Sequence, residues 1–165
     1  SVARAAYAAG AVLGDDPSGF SDPDYLPAAV LAGASVVAGH AGPVGPDAAT
    51  EVGTFLAERG RRAEEAGLAR ERIVLDPGLG AVATLEDWLR VLRSSPALAQ
   101  LGYPLLASVP QLLAGPTDGG ADDRRGTTVA ATALAVVGGC RVLRTRDVRT
   151  ARRVADVLQA ILSAE

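Results

Sequence analysis

Five short stretches rich in Val, Leu, Ile and Ala, at residues 11–15, 35–39, 72–76, 104–109 and 141–145, end in small or polar residues and alternate with longer segments of helical pattern. Nearly continuous apolar runs of this length are what parallel strands covered on both faces require. The helical segments are 23–32, 47–66, 85–99, 123–137 and 147–162. Several carry end signals. Pro46 and Asp47 lead into an acidic first turn with Thr50 and Glu51, and Gly67 follows Glu64, Glu65 and Ala66 as a C-terminal cap. In the last segment Val154, Val157, Leu158, Ile161 and Leu162 fall at spacings of three and four and form one apolar stripe. The alternation predicts an α/β fold built from βα units.

About five βα units fit 165 residues, whereas a closed eight-stranded barrel takes about 250. The pattern is met equally by part of a (β/α)8 barrel and by a five-stranded doubly wound sheet, and periodicity alone does not choose between them. Both place ligands at the C-terminal ends of the strands.

Composition narrows the classes of function. With 48% apolar residues the chain can bury a substantial core, and its net charge of −3 is spread over both signs without a basic stripe, which argues against nucleic acid as a partner. The apolar runs are interrupted by Gly and Pro well below the roughly 20 residues that span a bilayer, so no membrane helix is expected. Cys140 is the single cysteine and His40 the single histidine, which leaves no internal disulfide and no Cys/His zinc cluster and fits a reducing cytoplasm. All 16 basic residues are Arg, and Lys and Asn are absent, so a Schiff-base Lys, a P-loop Lys and an Asn amide are unavailable. Ser1 opens on an Ala-rich helical run with neither an initiator Met nor a signal-peptide pattern, as expected of a chain cut from something longer.

Polar residues concentrate where the strands end: Asp15 and Asp16, His40, Asp76 with Pro77 and Gly78, Ser108, and Arg144 with Arg146 and Asp147. Asp76 closes the run Ile73-Val74-Leu75. Its carboxylate is an acceptor pair that suits a ligand with two parallel N–H donors, such as the amino-pyrimidinone edge of a pterin or guanine, or equally an Arg fork or a structural turn. The Arg144 guanidinium can stack on a flat heterocycle or bind a phosphate, or pair with Asp147 or another carboxylate. His40 can serve as a base, as an anion donor or as a structural histidine, and no sequence neighbour decides among them. Gly78-Leu79-Gly80 lacks the spacing of a phosphate-loop fingerprint and is accounted for by the turn after Asp76.

The succession Arg72-Ile-Val-Leu-Asp-Pro-Gly-Leu-Gly80, Gly102-Tyr-Pro-Leu-Leu106, Arg125-Gly-Thr127 and Arg141-Val-Leu-Arg-Thr-Arg-Asp-Val148 resembles, in order and spacing, the dihydropteroate synthase or pterin-binding family. Upstream, Ala9-Gly-Ala-Val-Leu-Gly-Asp-Asp-Pro-Ser-Gly19 with Asp22-Pro-Asp24, and Val36-Val-Ala-Gly-His40, are similar to that family's fourth and fifth strand ends. The resemblance covers nearly the whole chain. It implies a TIM-type (β/α)8 barrel of which these residues supply roughly strands four to eight, as one domain that is the C-terminal part of a longer barrel.

The activity so implied is the condensation of a pterin diphosphate with p-aminobenzoate, a transferase step of folate biosynthesis that releases pyrophosphate. Asp76 would grip the pterin edge, Asp15 would stand where the family has a pterin-contacting Asn, and Arg144 would lie against the ring and the departing diphosphate. Arg146, in place of the family's His, and His40 complete the expected diphosphate contacts. No metal ligand is expected in these residues; Mg2+, by the resemblance, belongs to the N-terminal part of the barrel.

The chain also departs from the family pattern. Pro110-Gln111-Leu112 replaces a Ser-Arg-Lys, Gly80-Ala81-Val82-Ala83 replaces a Gly-Phe-Gly-Lys, and Trp88 stands for an Asn nearby. Two carboxylates, Asp15 and Asp76, around one ring edge are expected to repel each other. These departures point to an altered site, with a catalytically inactive paralogue that binds pterin weakly or serves as a partner subunit as the alternative. Unpaired strand edges call for a companion segment or a homodimer.

Overall fold

The computed structural model describes residues 2–79, 84–109 and 121–164, the side chains of 121–124 excepted. Helix α1 (Val2–Ala8) precedes β1 (Leu13–Asp16), and the units continue as α2 (Tyr25–Leu31), β2 (Ser35–Gly39), α3 (Ala48–Glu65), β3 (Ile73–Asp76), α4 (Leu85–Ala99), β4 (Leu105–Ser108), α5 (Ala121–Val137), β5 (Cys140–Arg144) and α6 (Val148–Leu162).

The helix ends form by local chemistry. Asp47 caps α3, accepting from the Thr50 N–H at 3.2 Å, and Thr84 caps α4, accepting from the Asp87 N–H at 3.1 Å while its hydroxyl donates to the Asp87 carboxylate. Gly67 ends α3 at φ +106: its N–H donates to the Glu64 carbonyl and the Leu68 N–H to the Ala63 carbonyl, the paired bonds that glycine's left-handed backbone allows.

All strand pairs are parallel, and the sheet order β1-β2-β3-β4-β5 follows the sequence. This order resolves the alternative left open by periodicity. A doubly wound sheet reverses direction at a switch point; here each crossover steps the same way, and right-handed crossovers then lay the helices on one face. That is a barrel segment. The face toward the helices is the core, where Ile73, Leu75 and Leu105 are fully buried together with Leu56, Val91 and Leu98 from α3 and α4. The other face carries Asp15, Val37 and Val74 in one hydrogen-bonded row. Leu13 on β1 and Val142 on β5, the two outermost strands of the described sheet, are exposed.

One expected boundary is corrected. Arg72, expected to open a strand, ends a 3-10 turn (Arg70–Arg72), and its guanidinium donates to the Gly33 carbonyl in the loop before β2. The apolar stripe of α6 is not sealed by the described residues: Val157, Ile161 and Leu162 are exposed, and Ala151 is the residue of that helix that is buried.

Candidate functional site

The chain turns sharply at the end of β3. The Asp76 carbonyl accepts from the His40 N–H at 2.9 Å, which ties the end of β3 to that of β2. Gly78 then takes φ +83 and donates its N–H to Asp76 Oδ1 at 2.9 Å. A Cβ at Gly78 would lie 2.2 Å from the His40 carbonyl oxygen, so glycine is required both by the backbone conformation and by space. The turn aims Asp76 Oδ2 at Arg144.

The Arg144 guanidinium joins three strands. Its Nη1 donates to Asp76 Oδ2 at 3.0 Å and to Ser108 Oγ at 3.0 Å, and its Nη2 donates to Asp15 Oδ2. Asp15, Asp76 and Arg144 sit on β1, β3 and β5, alternate strands of the series, which is how the inner layers of a barrel are filled. The Asp76 side chain is only 7% exposed, whereas those of Asp15 and Arg144 are 45% and 46% exposed. The mutual repulsion expected of the two carboxylates is answered by the cation between them. Asp147, one of the partners weighed for Arg144, is committed elsewhere: it caps α6, accepting from the Thr150 N–H at 3.0 Å and hydroxyl at 2.7 Å, and these bonds hold its carboxyl below the usual range.

Burial pushes the Asp76 carboxyl above its ordinary value of 3.8; the Gly78 N–H and the Arg144 guanidinium pull it back, and the Asp15 charge raises it again. A carboxyl raised on folding stabilises the fold fully below its unfolded value, and that contribution is lost as pH rises through the folded one. The expected result is that Asp76→Asn gains stability relative to wild type as pH climbs from about 3.8 through the raised value. Urea unfolding of both proteins across that window checks it; a variant that loses stability relative to wild type as pH rises contradicts the assignment.

The other named residues are placed around this cluster. Asp16 is the last residue of β1, and its carboxylate accepts from the Ser18 N–H and hydroxyl and from the Phe20 N–H of the loop that follows. These bonds hold Phe20, buried and at φ +66, against Tyr25. Apart from that backbone bond to Asp76, the His40 side chain stands beside the cluster without hydrogen-bonding to it. Its ring meets Phe55 edge-on at 5.0 Å, and its Nδ1 is buried without a partner. Burial lowers its pKa against a weaker opposing pull from Glu51, so it is neutral near pH 7. Arg146 is exposed in the turn between β5 and α6.

Ser108 as an acceptor for Arg144, and Phe55 as the floor under His40, had no sequence signal: both contacts join residues distant along the chain. Trp88 is buried in α4. The departures at 80–83 and 110–112 lie outside the described residues. Among the described residues no group of three His, Cys, Asp or Glu is placed to hold a metal, and no helix is long and apolar enough to cross a membrane. The Asp15 carboxylate is occupied by Arg144 and that of Asp16 by its own loop, so these residues do not fit a Mg2+ site.

A sequentially ordered parallel βα series is a segment of the (β/α)8-barrel class, and its two carboxylates and guanidinium gather at the strand ends where barrels of that class place their sites. Residues 1–146 match the family model described as pterin binding enzyme, and the chain belongs to that family. It is 31% identical to a dihydropteroate synthase of Streptococcus pyogenes, over 97% of this chain and 63% of the relative. It is 34% identical to a Mycobacterium bovis protein named inactive dihydropteroate synthase 2, over 97% of this chain and 55% of that one. The chain thus spans less than two thirds of the length of these relatives.

Among solved structures, Xanthomonas albilineans dihydropteroate synthase in complex with 7,8-dihydropteroate superposes with a TM-score of 0.88 at 34% identity, covering 99% of this chain and 64% of that one. The Thermus thermophilus enzyme in complex with 6HMPPP gives 0.85 at 34%, covering 97% and 66%. The resemblance read from the strand-end motifs, and the barrel it implied, both hold.

Proposed function

We propose that this chain is the pterin-binding, C-terminal part of a dihydropteroate synthase-type barrel, corresponding to strands four to eight. The observation that carries the reading is the convergence of Asp15, Asp76 and Arg144 on one point at the strand ends. A pterin diphosphate lays its amino-pyrimidinone edge on Asp76, whose buried carboxylate offers an acceptor pair to parallel N–H donors. Arg144 lies against the ring and the diphosphate, with Arg146 and His40 toward the anion.

In the reaction the amine nitrogen of p-aminobenzoate forms a C–N bond to the pterin methylene carbon. The C–O bond breaks, its electron pair leaves with pyrophosphate, and the amine gives up a proton. A guanidinium at the departing oxygens stabilises the charge that develops there. The p-aminobenzoate contacts and any Mg2+ fall to residues beyond this chain, a homodimer would use the exposed stripe of α6, and a cytoplasmic location goes with the activity.

A second reading is an inactive paralogue that retains ring binding. It is favoured by the identity to the relative named as inactive and by the engagement of Arg144 with two carboxylates. Pyrophosphate release by the full-length protein, given a pterin diphosphate and p-aminobenzoate, separates them. The synthase reading expects turnover that Asp76→Asn reduces roughly ten- to hundredfold, the value of a lost charged hydrogen bond to a buried ligand. Binding without turnover establishes the paralogue, and absence of both overturns the pterin site.

A further inference from the structure

We propose that Asp15 is a specificity-determining residue that, paired with Asp76, adapts this site to a planar cationic amidine edge, so that it takes a 2,4-diamino heterocycle in preference to the 2-amino-4-oxo ring of a pterin. The inference rests on the ring-binding reading of the site and concerns which ring chemistry it selects.

The two carboxylates already hold such an edge. The Arg144 guanidinium is flat, cationic and furnished with N–H donors on two sides; one nitrogen donates to Asp76 Oδ2 and the other to Asp15 Oδ2. Two carboxylates against one guanidinium leave one negative charge in excess. The site therefore matches a ligand bearing N–H donors on more than one side and a positive charge.

A neutral amino-pyrimidinone supplies parallel donors along one edge, enough for one carboxylate, and its ring carbonyl is a further acceptor. Beside a second carboxylate that oxygen sets lone pair against lone pair, because a carboxylate is acceptor-only. Replacing the 4-oxo group by an amino group reverses the polarity at that position. It also makes the ring a more basic amidine, whose protonated form donates in two directions and carries charge. Charge-assisted bonds are about twice as strong as neutral ones. Asp15 is half exposed, so solvent moderates the gain.

A ligand edge of this kind takes over the contacts that Arg144 makes, and releases the guanidinium toward the anionic end of the ligand. Asp76, held by Gly78 and almost fully buried, is the anchor for either ring. Asp15, on the opposite side of the guanidinium, is the residue that tells them apart.

The test is calorimetric titration of the full-length protein with 2,4-diaminopteridine and with pterin, for wild type, Asp15→Asn and Asp76→Asn, each variant first shown by its melting curve to fold. Wild type is expected to bind the diamino ring at least about tenfold more tightly, the lower end of what one charge-assisted bond contributes. In Asp15→Asn, which keeps the size of the side chain and exchanges one acceptor for a donor, the preference should fall to about parity. In Asp76→Asn both rings should weaken. A wild-type preference for pterin, or a ratio that Asp15→Asn leaves unchanged, overturns the role of Asp15 while leaving ring binding intact. Failure of both rings to bind wild type overturns this inference and the pterin-site reading together.

Discussion

Arg144→Ala is expected to weaken pterin diphosphate binding by roughly ten- to hundredfold and to lower stability by about 1.5–3 kcal/mol, the range of hydrogen bonds to charged groups. The guanidinium satisfies Asp76, Ser108 and Asp15 at once, and its loss leaves a nearly buried carboxylate with the Gly78 N–H as its remaining described donor. A fully buried pair broken in this way costs about 3–5 kcal/mol. Arg144 is 46% exposed, so water can enter beside Asp76 and the smaller range applies. Arg144→Lys should recover only part of either loss, since one ammonium on a flexible stem cannot reproduce a fork whose two nitrogens reach three strands. Urea unfolding and titration of the three proteins measure both effects; a Lys variant equal to wild type would mean that charge suffices and the fork geometry contributes nothing.

Gly78→Ala is the second large effect expected, and it acts through the backbone. A side chain at φ +83 costs about 1–3 kcal/mol, and crowding a packed position costs a further 1–3. The added Cβ at 2.2 Å from the His40 carbonyl has backbone before it, not a side chain that could swing away. Relief requires the β3 turn to part from the end of β2, which moves Asp76 off Arg144. The expected result is a melting temperature lowered by several degrees for each kcal/mol lost, in a chain of this size, together with loss of ring binding. Gly126→Ala is the matching control: among the described residues a Cβ there meets nothing within 4 Å, and α5 should gain slightly from the better helix former. Equal melting temperatures for the Gly78 and Gly126 variants would remove the turn from the account.

What could be read from the sequence is what local pattern determines. Asp76 was placed at a strand end because Ile73-Val74-Leu75 leads into it and Pro77-Gly78 cannot continue a strand, and Arg144 because the apolar run of β5 stops there. Asp47 and Gly67 were legible as caps for the same reason. The sheet order was not, because parallel strands read alike in a barrel and in a doubly wound sheet, and only the direction of successive crossovers separates the two. Partner choice was illegible as well. Asp147 is near Arg144 in sequence, but Thr150 claims it, whereas Asp15 and Asp76 reach the guanidinium from β1 and β3. The Arg72 boundary was misplaced because a contact to Gly33, far back in the chain, holds that residue in the turn. Similarly, nothing near His40 in sequence announces that Phe55, one helix later, will support its ring.

The central claim is that the buried Asp76 carboxylate is the anchor for a pterin ring. Calorimetric titration of the full-length protein with a pterin diphosphate analogue, beside Asp76→Ala shown to be folded, tests it most directly. The account predicts saturable binding by wild type that the variant weakens by at least about tenfold, the lower bound for one charged hydrogen bond. Binding of equal strength in both proteins would contradict it.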